Sequence, residues 1–417
     1  MTHSNEEQHF AVHLHGRWIG TIHRKMDYTW LTFEANYIED PDRAVLGLRF
    51  EENLRARYAA NLRLPPWFSN LLPEGRLREW IAESRGTPVT REMEILAHVG
   101  RDLPGAVQVF EVDGAARHSR ESDQEIVAAG PRALSNALWR FSLAGVGLKF
   151  SMLAKGDRFT APGSGEGGDW IIKLPDHEHT AVPINEFAMM NLARESGVQV
   201  PDVRLVDRDQ IESLPDDVWP HRERTAYAVR RFDRAADRTP IHIEDLAQVR
   251  GFYPDNKYDG SFETVASLLY RGRDTWALLE FVRRLAFNIL ISNGDAHLKN
   301  WSIIYTDRRI PTLAPAYDLV ATAGYRPPGT PENMGLKFCG SRRFARVTST
   351  CFASLQEKLG VGVSLADEVD LLVDRVLAAW PQNSEFLRDH AVMRARIDAS
   401  IQRGAVLLRR RKGTDVV

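Results

Sequence analysis

Asn293-Gly294-Asp295-Ala296-His297-Leu298-Lys299-Asn300 sets an aspartate five residues before an asparagine, in a polar segment between two apolar runs. Phosphoryl-transfer sites of the protein-kinase type use that spacing. The aspartate faces the attacking hydroxyl, and the asparagine holds a metal ion on the nucleotide phosphates. Alone, the pattern arises often by chance. Its weight depends on whether the other parts of such a site follow in order, on the right elements.

They do. Upstream of the loop, Leu278, Phe281, Val282, Leu285, Ala286, Ile289 and Leu290 fall at helix spacing, with Asn293-Gly294 as the expected C-cap. Lys173 ends the strand pattern Trp170-Ile171-Ile172-Lys173, where an ammonium could hold phosphates. Glu186 lies thirteen residues on, at the start of an expected helix over about 184–196, and could orient that lysine. Ser142-Leu143-Ala144-Gly145-Val146-Gly147-Leu148-Lys149 leads into a strand, and its glycines would let backbone N–H groups approach phosphate. Asp318, in Ala316-Tyr317-Asp318-Leu319, follows Asn300 by one strand pair, where a second metal-binding aspartate belongs. Each has a plainer alternative: an edge-strand lysine, a helix-dipole partner, an ordinary turn. In this order they point to phosphoryl transfer from ATP with Mg²⁺, with Asp295 as the catalytic aspartate and Asn300 and Asp318 on the metal.

Other patterns carry less. Gly163-Ser164-Gly165-Glu166-Gly167-Gly168 lacks the Gly-Lys-Ser/Thr of a phosphate loop and reads as a hairpin tip. His177-Glu178-His179 has no further ligand at plausible spacing and reads as a solvated turn. His242, Glu244 and Asp245 read as structural, capping a helix.

The chain has 417 residues and a net charge of -2, so no charge excess points to nucleic acid. Cys339 and Cys351 cannot make a disulfide framework. The polar N-terminus and the lack of a membrane-length apolar run lead us to expect a soluble, cytoplasmic protein with no membrane contact. A β reading over 9–50 and helical patterns at Leu77–Ser84 and Arg91–Val99 predict a small N-terminal subdomain over 1–110. Residues 111–235 hold the phosphate loop and lysine strand. Residues 236–417 are mainly helical, with Ser364 starting one helix, Pro381 ending it and a last helix from near Ser384. The basic tail Arg409-Arg410-Arg411-Lys412 reads as a solvated terminus.

At this point the sequence resembles the HipA-type serine/threonine kinase toxins of bacterial type II toxin–antitoxin systems. The resemblance rests on Asn70-Leu71-Leu72-Pro73-Glu74-Gly75, on Gly100-Arg101-Asp102-Leu103-Pro104-Gly105-Ala106-Val107 and on the Ser142–Lys149 loop. Asn185-Glu186, Arg231-Phe232-Asp233-Arg234, His242-x-Glu244-Asp245-x-x-Gln248, the Asp295–Asn300 loop and Ala316-Tyr317-Asp318 complete it. It implies an α+β, protein-kinase-like two-lobed fold with a small N-terminal α/β subdomain and a mainly helical C-terminal lobe. It places Ala144 to Lys149, Lys173, Glu186, His297, Lys299, Asn300, Tyr317 and Asp318 at the nucleotide, with Arg230, Arg231 and Phe232 lining the adenine through backbone groups and ring contact. It makes Ser142 an autophosphorylated serine. A phosphate there, with nearly two negative charges, would repel the ATP phosphates or force the loop out. It also implies a helix-turn-helix, HipB-like antitoxin as partner, DNA contact mainly through that antitoxin, and a translation component such as an aminoacyl-tRNA synthetase as substrate. In one place the chain departs: Val146-Gly147 stands where the family carries Ala-Gln. Two other readings remain open here. Aminoglycoside- or choline-kinase-like enzymes share a G-D-x-H-x-x-N loop, and a pseudokinase scaffold or co-repressor could keep the fold.

Overall fold

The computed structural model describes residues 7–84, 86–112, 148–162, 167–212, 214, 219, 223–327 and 330–410. Ser142 and Ala144 to Gly147 therefore lie outside the described residues, as do Gly163 to Glu166.

Five antiparallel strands form the N-terminal sheet: β1 (Gln8–Leu14), β2 (Arg17–Lys25), β3 (Tyr28–Phe33), β4 (Tyr58–Asn61) and β5 (Val107–Val112), in the order β4-β3-β2-β1-β5. Period-2 alternation sends Phe10, Val12 and Leu14 into the core and leaves His9 and His13 on the other face. The β reading of 9–50 ends at Phe33, because a short helix, Ala35–Glu39, follows, its Tyr37 buried in the core. Between β1 and β2, His15 and Gly16 both take positive φ, 50° and 77°, as a two-residue primed hairpin turn requires.

A second sheet holds β6 (Lys149–Lys155), β7 (Arg158–Thr160), β8 (Trp170–Lys173), β9 (Val203–Asp207) and β10 (Thr225–Arg230), in the order β7-β6-β8-β10-β9. Lys155-Gly156-Asp157 is a hairpin joint, with Lys155 opposite Arg158. The glycine-rich joint at 163–168 is not the hairpin tip expected. It leads from the edge strand β7 to β8 on the far side of β6, because β8 takes its ladder from β6 and β10. The two faces of β10 serve two cores. Ala226 and Ala228 join the N-terminal core, whereas Tyr227 and Val229 join the core of the helical lobe.

The helical lobe is built around Thr275–Leu290, started by Asp274, whose carboxylate accepts the Ala277 N–H at 2.9 Å. Its predicted stop is corrected. The C-cap is Ile291, and Ser292 takes the left-handed backbone at φ 50°. Asn293 is drawn inward, its Nδ2 donating to Asn288 Oδ1 at 2.8 Å. Gly294 serves close approach, since a Cβ there would lie 2.7 Å from Glu332 and 2.8 Å from the Asn333 carbonyl oxygen. A three-stranded sheet of β11 (His242–Asp245), β12 (Ser302–Tyr305) and β13 (Thr312–Leu313) and a hairpin of β14 (Asn333–Phe338) and β15 (Ser341–Arg343) interrupt the helices. Pro381 does not end its helix. Leu365–Asn383 runs through it, anchored by Trp380 Nε1 on Asp398 at 3.0 Å, and the last helix starts only at Ala391. The ring removes a single backbone donor so close to the C-terminus.

Two buried polar assemblies fix the N-terminal subdomain to the rest. Asp102 and Asp233 alternate with Arg231 and Arg234: Arg231 reaches both carboxylates at 2.8 Å and Arg234 reaches both at 2.9 Å. Gly105 closes this quartet through its N–H on Asp233 at 2.8 Å, with φ +77° and no room for a Cβ beside His242. Glu244 accepts the Leu48 N–H at 3.0 Å, Trp67 Nε1 at 2.8 Å and the Tyr305 hydroxyl. His242 sits 2.8 Å from the Leu46 carbonyl, and Asp245 forms a reciprocal capping box with Gln248. The structural reading of 242–245 therefore holds, although Asp245 also lines the central cleft.

Candidate active site

A cleft of about 950 Å³ lies between the second sheet and the helical lobe. Strand register supplies its cationic wall. Lys149 on β6, Lys173 on β8 and Tyr227 on β10 are successive cross-strand partners, so the two lysines stand side by side on the face opposite Phe150 and Ile172. Lys173 Nζ donates to Glu186 Oε1 at 2.6 Å and to Asp318 Oδ1. Glu186 reaches it from the first turns of the helix Val182–Glu195, where a left-handed Ala181 starts the helix.

These groups tune one another. Burial disfavours charge on Lys173, but Asp318 and Glu186 outweigh it and hold the ammonium charged. Burial likewise opposes the Asp318 carboxylate, and Lys173 and Lys149 overcome it, taking its pKa down to about 2. Glu186 is pushed up to about 7, chiefly by burial and further by the nearby Asp318 carboxylate, which together outweigh Lys173. Lys149 is lowered to about 8 by burial. Asp318 also carries a left-handed backbone at φ 56°, a conformation that aspartate tolerates better than most residues and that gathers at functional sites.

The loop that ends the long helix lies across the cleft. Asn300 Nδ2 donates to the Asp295 carbonyl at 2.8 Å, and the Asp295 N–H donates to Asn293 Oδ1 at 3.0 Å. The five-residue spacing is thus closed into a tight loop, with the Asp295 carboxylate facing out. Its Oδ1 accepts the Tyr258 hydroxyl at 2.5 Å. His297 Nε2 lies 3.9 Å from the same oxygen, and its Nδ1 is buried without a hydrogen-bond partner. Burial takes that imidazole down to about 4, so it is neutral at pH 7.

The remaining expected residues divide. Leu148, Tyr317 and Phe232 line the cleft, with the Tyr317 and Phe232 rings 5.6 Å apart. The Tyr317 hydroxyl donates to the Lys299 carbonyl at 2.8 Å. Arg230 and Arg231 line the cleft, but their backbone N–H groups already donate to the Asp202 and Asp169 carbonyls. The Arg231 guanidinium is turned away into the buried quartet. Lys299 is not free to meet a phosphate. Its Nζ lies 2.8 Å from Glu74 Oε1 and donates to the Asn70 carbonyl at 3.0 Å.

Glu74 is the residue whose role spacing could not reveal. It comes from the N-terminal subdomain and binds both Lys299 and Lys257, each at 2.8 Å. Burial opposes its charge, but the two lysines hold its pKa down to about 2. We expect Glu74→Gln to destabilise the protein by about 1–3 kcal/mol at pH 7. A folded-state pKa below the unfolded one means that this stability is present above about pH 4.5 and fades as pH falls towards 2. Urea melts of both forms at pH 7 and at pH 3 check this: the gap should narrow at the lower pH. Tyr258 also carried no sequence signal, since its contact with Asp295 joins positions 37 residues apart.

Two lobes, a lysine–glutamate pair on the sheet side and an aspartate–asparagine loop on the helical side define a kinase-like protein. Comparison with known proteins gives the family. Residues 10–110 match the HipA N-terminal domain, and residues 141–383 match the HipA-like C-terminal domain. A Sinorhizobium fredii protein named as a candidate kinase, Y4dM, is 42% identical over 379 residues, 88% of this chain and 90% of that one. The serine/threonine-protein kinase toxin HipA of Shewanella oneidensis is 27% identical over 346 residues, 75% of either chain. The solved complex of Shewanella oneidensis HipA, HipB and operator DNA matches in fold with a TM-score of 0.71 at 21% identity, over 95% of this chain and 96% of that one. This chain belongs to the HipA family.

Proposed function

We propose that the chain is an ATP- and Mg²⁺-dependent protein serine/threonine kinase and the toxin of a type II toxin–antitoxin pair. One observation carries the reading. Lys173 is held by Glu186 and Asp318 on one side of a cleft whose other side presents the Asp295–Asn300 loop.

The residues present fit the nucleotide and its metal. Lys149 and Lys173 offer two cations for phosphate, and the Tyr317–Phe232 wall offers an apolar face for a base. Asp318 and the Asn300 amide oxygen offer oxygen ligands, which suit magnesium. When bound, the ion neutralises charge on the transferring phosphates. Asp295 would accept the hydrogen bond of a substrate hydroxyl, a place the Tyr258 hydroxyl takes here. Lys173, oriented by Glu186, would hold the α- and β-phosphates. Neutral His297 cannot compete for phosphate as a cation.

The family resemblance extends the proposal. The protein works in the cytoplasm, pairs with a helix-turn-helix antitoxin that makes most of the DNA contact, and phosphorylates a translation component such as an aminoacyl-tRNA synthetase. It autophosphorylates at Ser142. Two measurements test this. Mg-ATP should raise the melting temperature of the wild-type protein, about 2.7 kcal/mol of stabilisation at a hundredfold excess over Kd, and Lys173→Met should remove most of the rise. Incubation with Mg-ATP and no other protein should add one phosphate to the intact mass, mapping to Ser142. A chain that leaves its own mass unchanged but phosphorylates small alcohols or amino sugars would instead be a small-molecule phosphotransferase.

A further inference from the structure

The N-terminal sheet carries a second group of chemistry-bearing side chains, on the face turned away from its core. Strand register creates it. β1 sets His9 opposite His23 of β2, and β2 sets His23 opposite Trp30 of β3. The neighbouring positions Phe10, Ile22 and Leu31 point the other way and are buried. His9, His23 and Trp30 therefore form one row across three strands. Glu7, just before β1, closes over the row, its Oε1 3.1 Å from His9 Nε2 and 2.9 Å from His23 Nδ1.

The two imidazoles are held in place. Their side chains are 12% exposed, whereas the carboxylate is 37% exposed. The rings meet edge to face with centroids 5.2 Å apart. Trp30 stacks on His23 at 5.0 Å with planes 3° apart, and the Arg57 guanidinium covers Trp30 at 4.5 Å from the ring centre. The second ring nitrogen of His23, Nε2, lies 2.8 Å from Thr32 Oγ1. Outer partners of this kind fix the orientation of metal-bound imidazoles.

We propose that Glu7, His9 and His23 bind a divalent transition-metal ion of the zinc type, with solvent completing the coordination. The three ligand atoms lie within 4.8 Å of one another. The two measured edges are close to the roughly 3.3 Å that separates neighbouring ligands around a tetrahedral ion with bonds of about 2.0–2.1 Å. Two imidazoles and one carboxylate suit zinc, cobalt or nickel, and do not suit magnesium or calcium, which take oxygen. The ion would tie the start of the chain to β2. It would bind the folded protein alone and stabilise it by mass action. No residue of this site lines the cleft, so the proposal stands apart from the kinase reading.

The test uses the full chain, stripped with a chelator and kept in saturating Mg²⁺ to occupy oxygen-ligand sites. Co²⁺ is titrated by visible absorption, followed by displacement with Zn²⁺ and a thermal melt. One equivalent of Co²⁺ should bind with a visible ligand-field band, and Zn²⁺ should displace it and raise the melting temperature. His9→Ala and Glu7→Gln should each weaken binding by at least about tenfold, whereas Asp318→Asn should leave it unchanged. Circular dichroism checks each variant; Glu7→Gln, at a partly exposed position, serves if a histidine variant misfolds. The absence of a band and of any Zn²⁺ stabilisation in the wild type would overturn the proposal and leave a hydrogen-bonded cluster only. So would Co²⁺ binding that survives both His9→Ala and Glu7→Gln.

Discussion

Asp295→Ala is expected to lower phosphate transfer by about 10²–10⁴-fold and leave the fold unchanged. The side chain is 56% exposed, and Tyr258 donates a hydrogen bond to it at 2.5 Å. The contacts that hold the loop use the Asp295 backbone, its carbonyl for Asn300 and its N–H for Asn293. Alanine keeps both. The expected signature is a fall in kcat with little change in the KM for ATP, because the nucleotide phosphates face Lys149, Lys173 and Asp318 in the proposed arrangement. Circular dichroism and the melting temperature should match the wild type. Asp295→Asn is the isosteric control and should lose activity to a similar degree. Retained kcat in both variants would remove Asp295 from the chemistry.

The second large effect is on stability. Asp102→Ala should cost about 3–5 kcal/mol, because removing one member of a buried ion group leaves uncompensated charge. Arg231 and Arg234 would then share Asp233 alone, and all four residues are buried. The quartet joins two segments distant in sequence, Gly100–Val107 and Arg231–Arg234, so its loss should loosen the N-terminal subdomain from the second sheet. A urea unfolding midpoint gives the number. A cost under about 1 kcal/mol would mean that water or another acid replaces Asp102. Asp102→Asn keeps hydrogen bonds and should fall between the two.

How much of this was legible in the sequence depended on the distance over which each residue finds its partner. The Asp295–Asn300 loop was readable because its geometry is local: one residue's amide binds the other's carbonyl. Lys173 and Glu186 were readable because a strand and the helix after it leave little freedom in thirteen residues. The pairing of Lys149 with Lys173 depends on sheet order, and the sequence suggested a hairpin across the glycine-rich joint instead. Glu74 was visible as part of a motif, but its grip on Lys257 and Lys299 bridges subdomains. The same tie converts Lys299 from an expected phosphate contact into a structural link. Arg231 was expected at the adenine through its backbone, and it does line the cleft; what spacing could not show is that its guanidinium belongs to the quartet, bound to Asp102 129 residues away. The helix stops at Asn293-Gly294 and Pro381 failed for one reason. Tertiary contacts, at Asn288 and Glu332 in one case and at Asp398 in the other, overrode a local signal.

In the proposed function this cleft moves phosphate from ATP to a protein hydroxyl. The direct measurement is transfer of label from γ-labelled ATP to protein by the purified chain, with and without Mg²⁺, beside Asp295→Ala. Label should appear on the wild-type protein, require Mg²⁺ and fall by at least about 10²-fold in the Asp295→Ala variant. Label that stays in ATP under all conditions, or that reaches the variant as fast as the wild type, would contradict it.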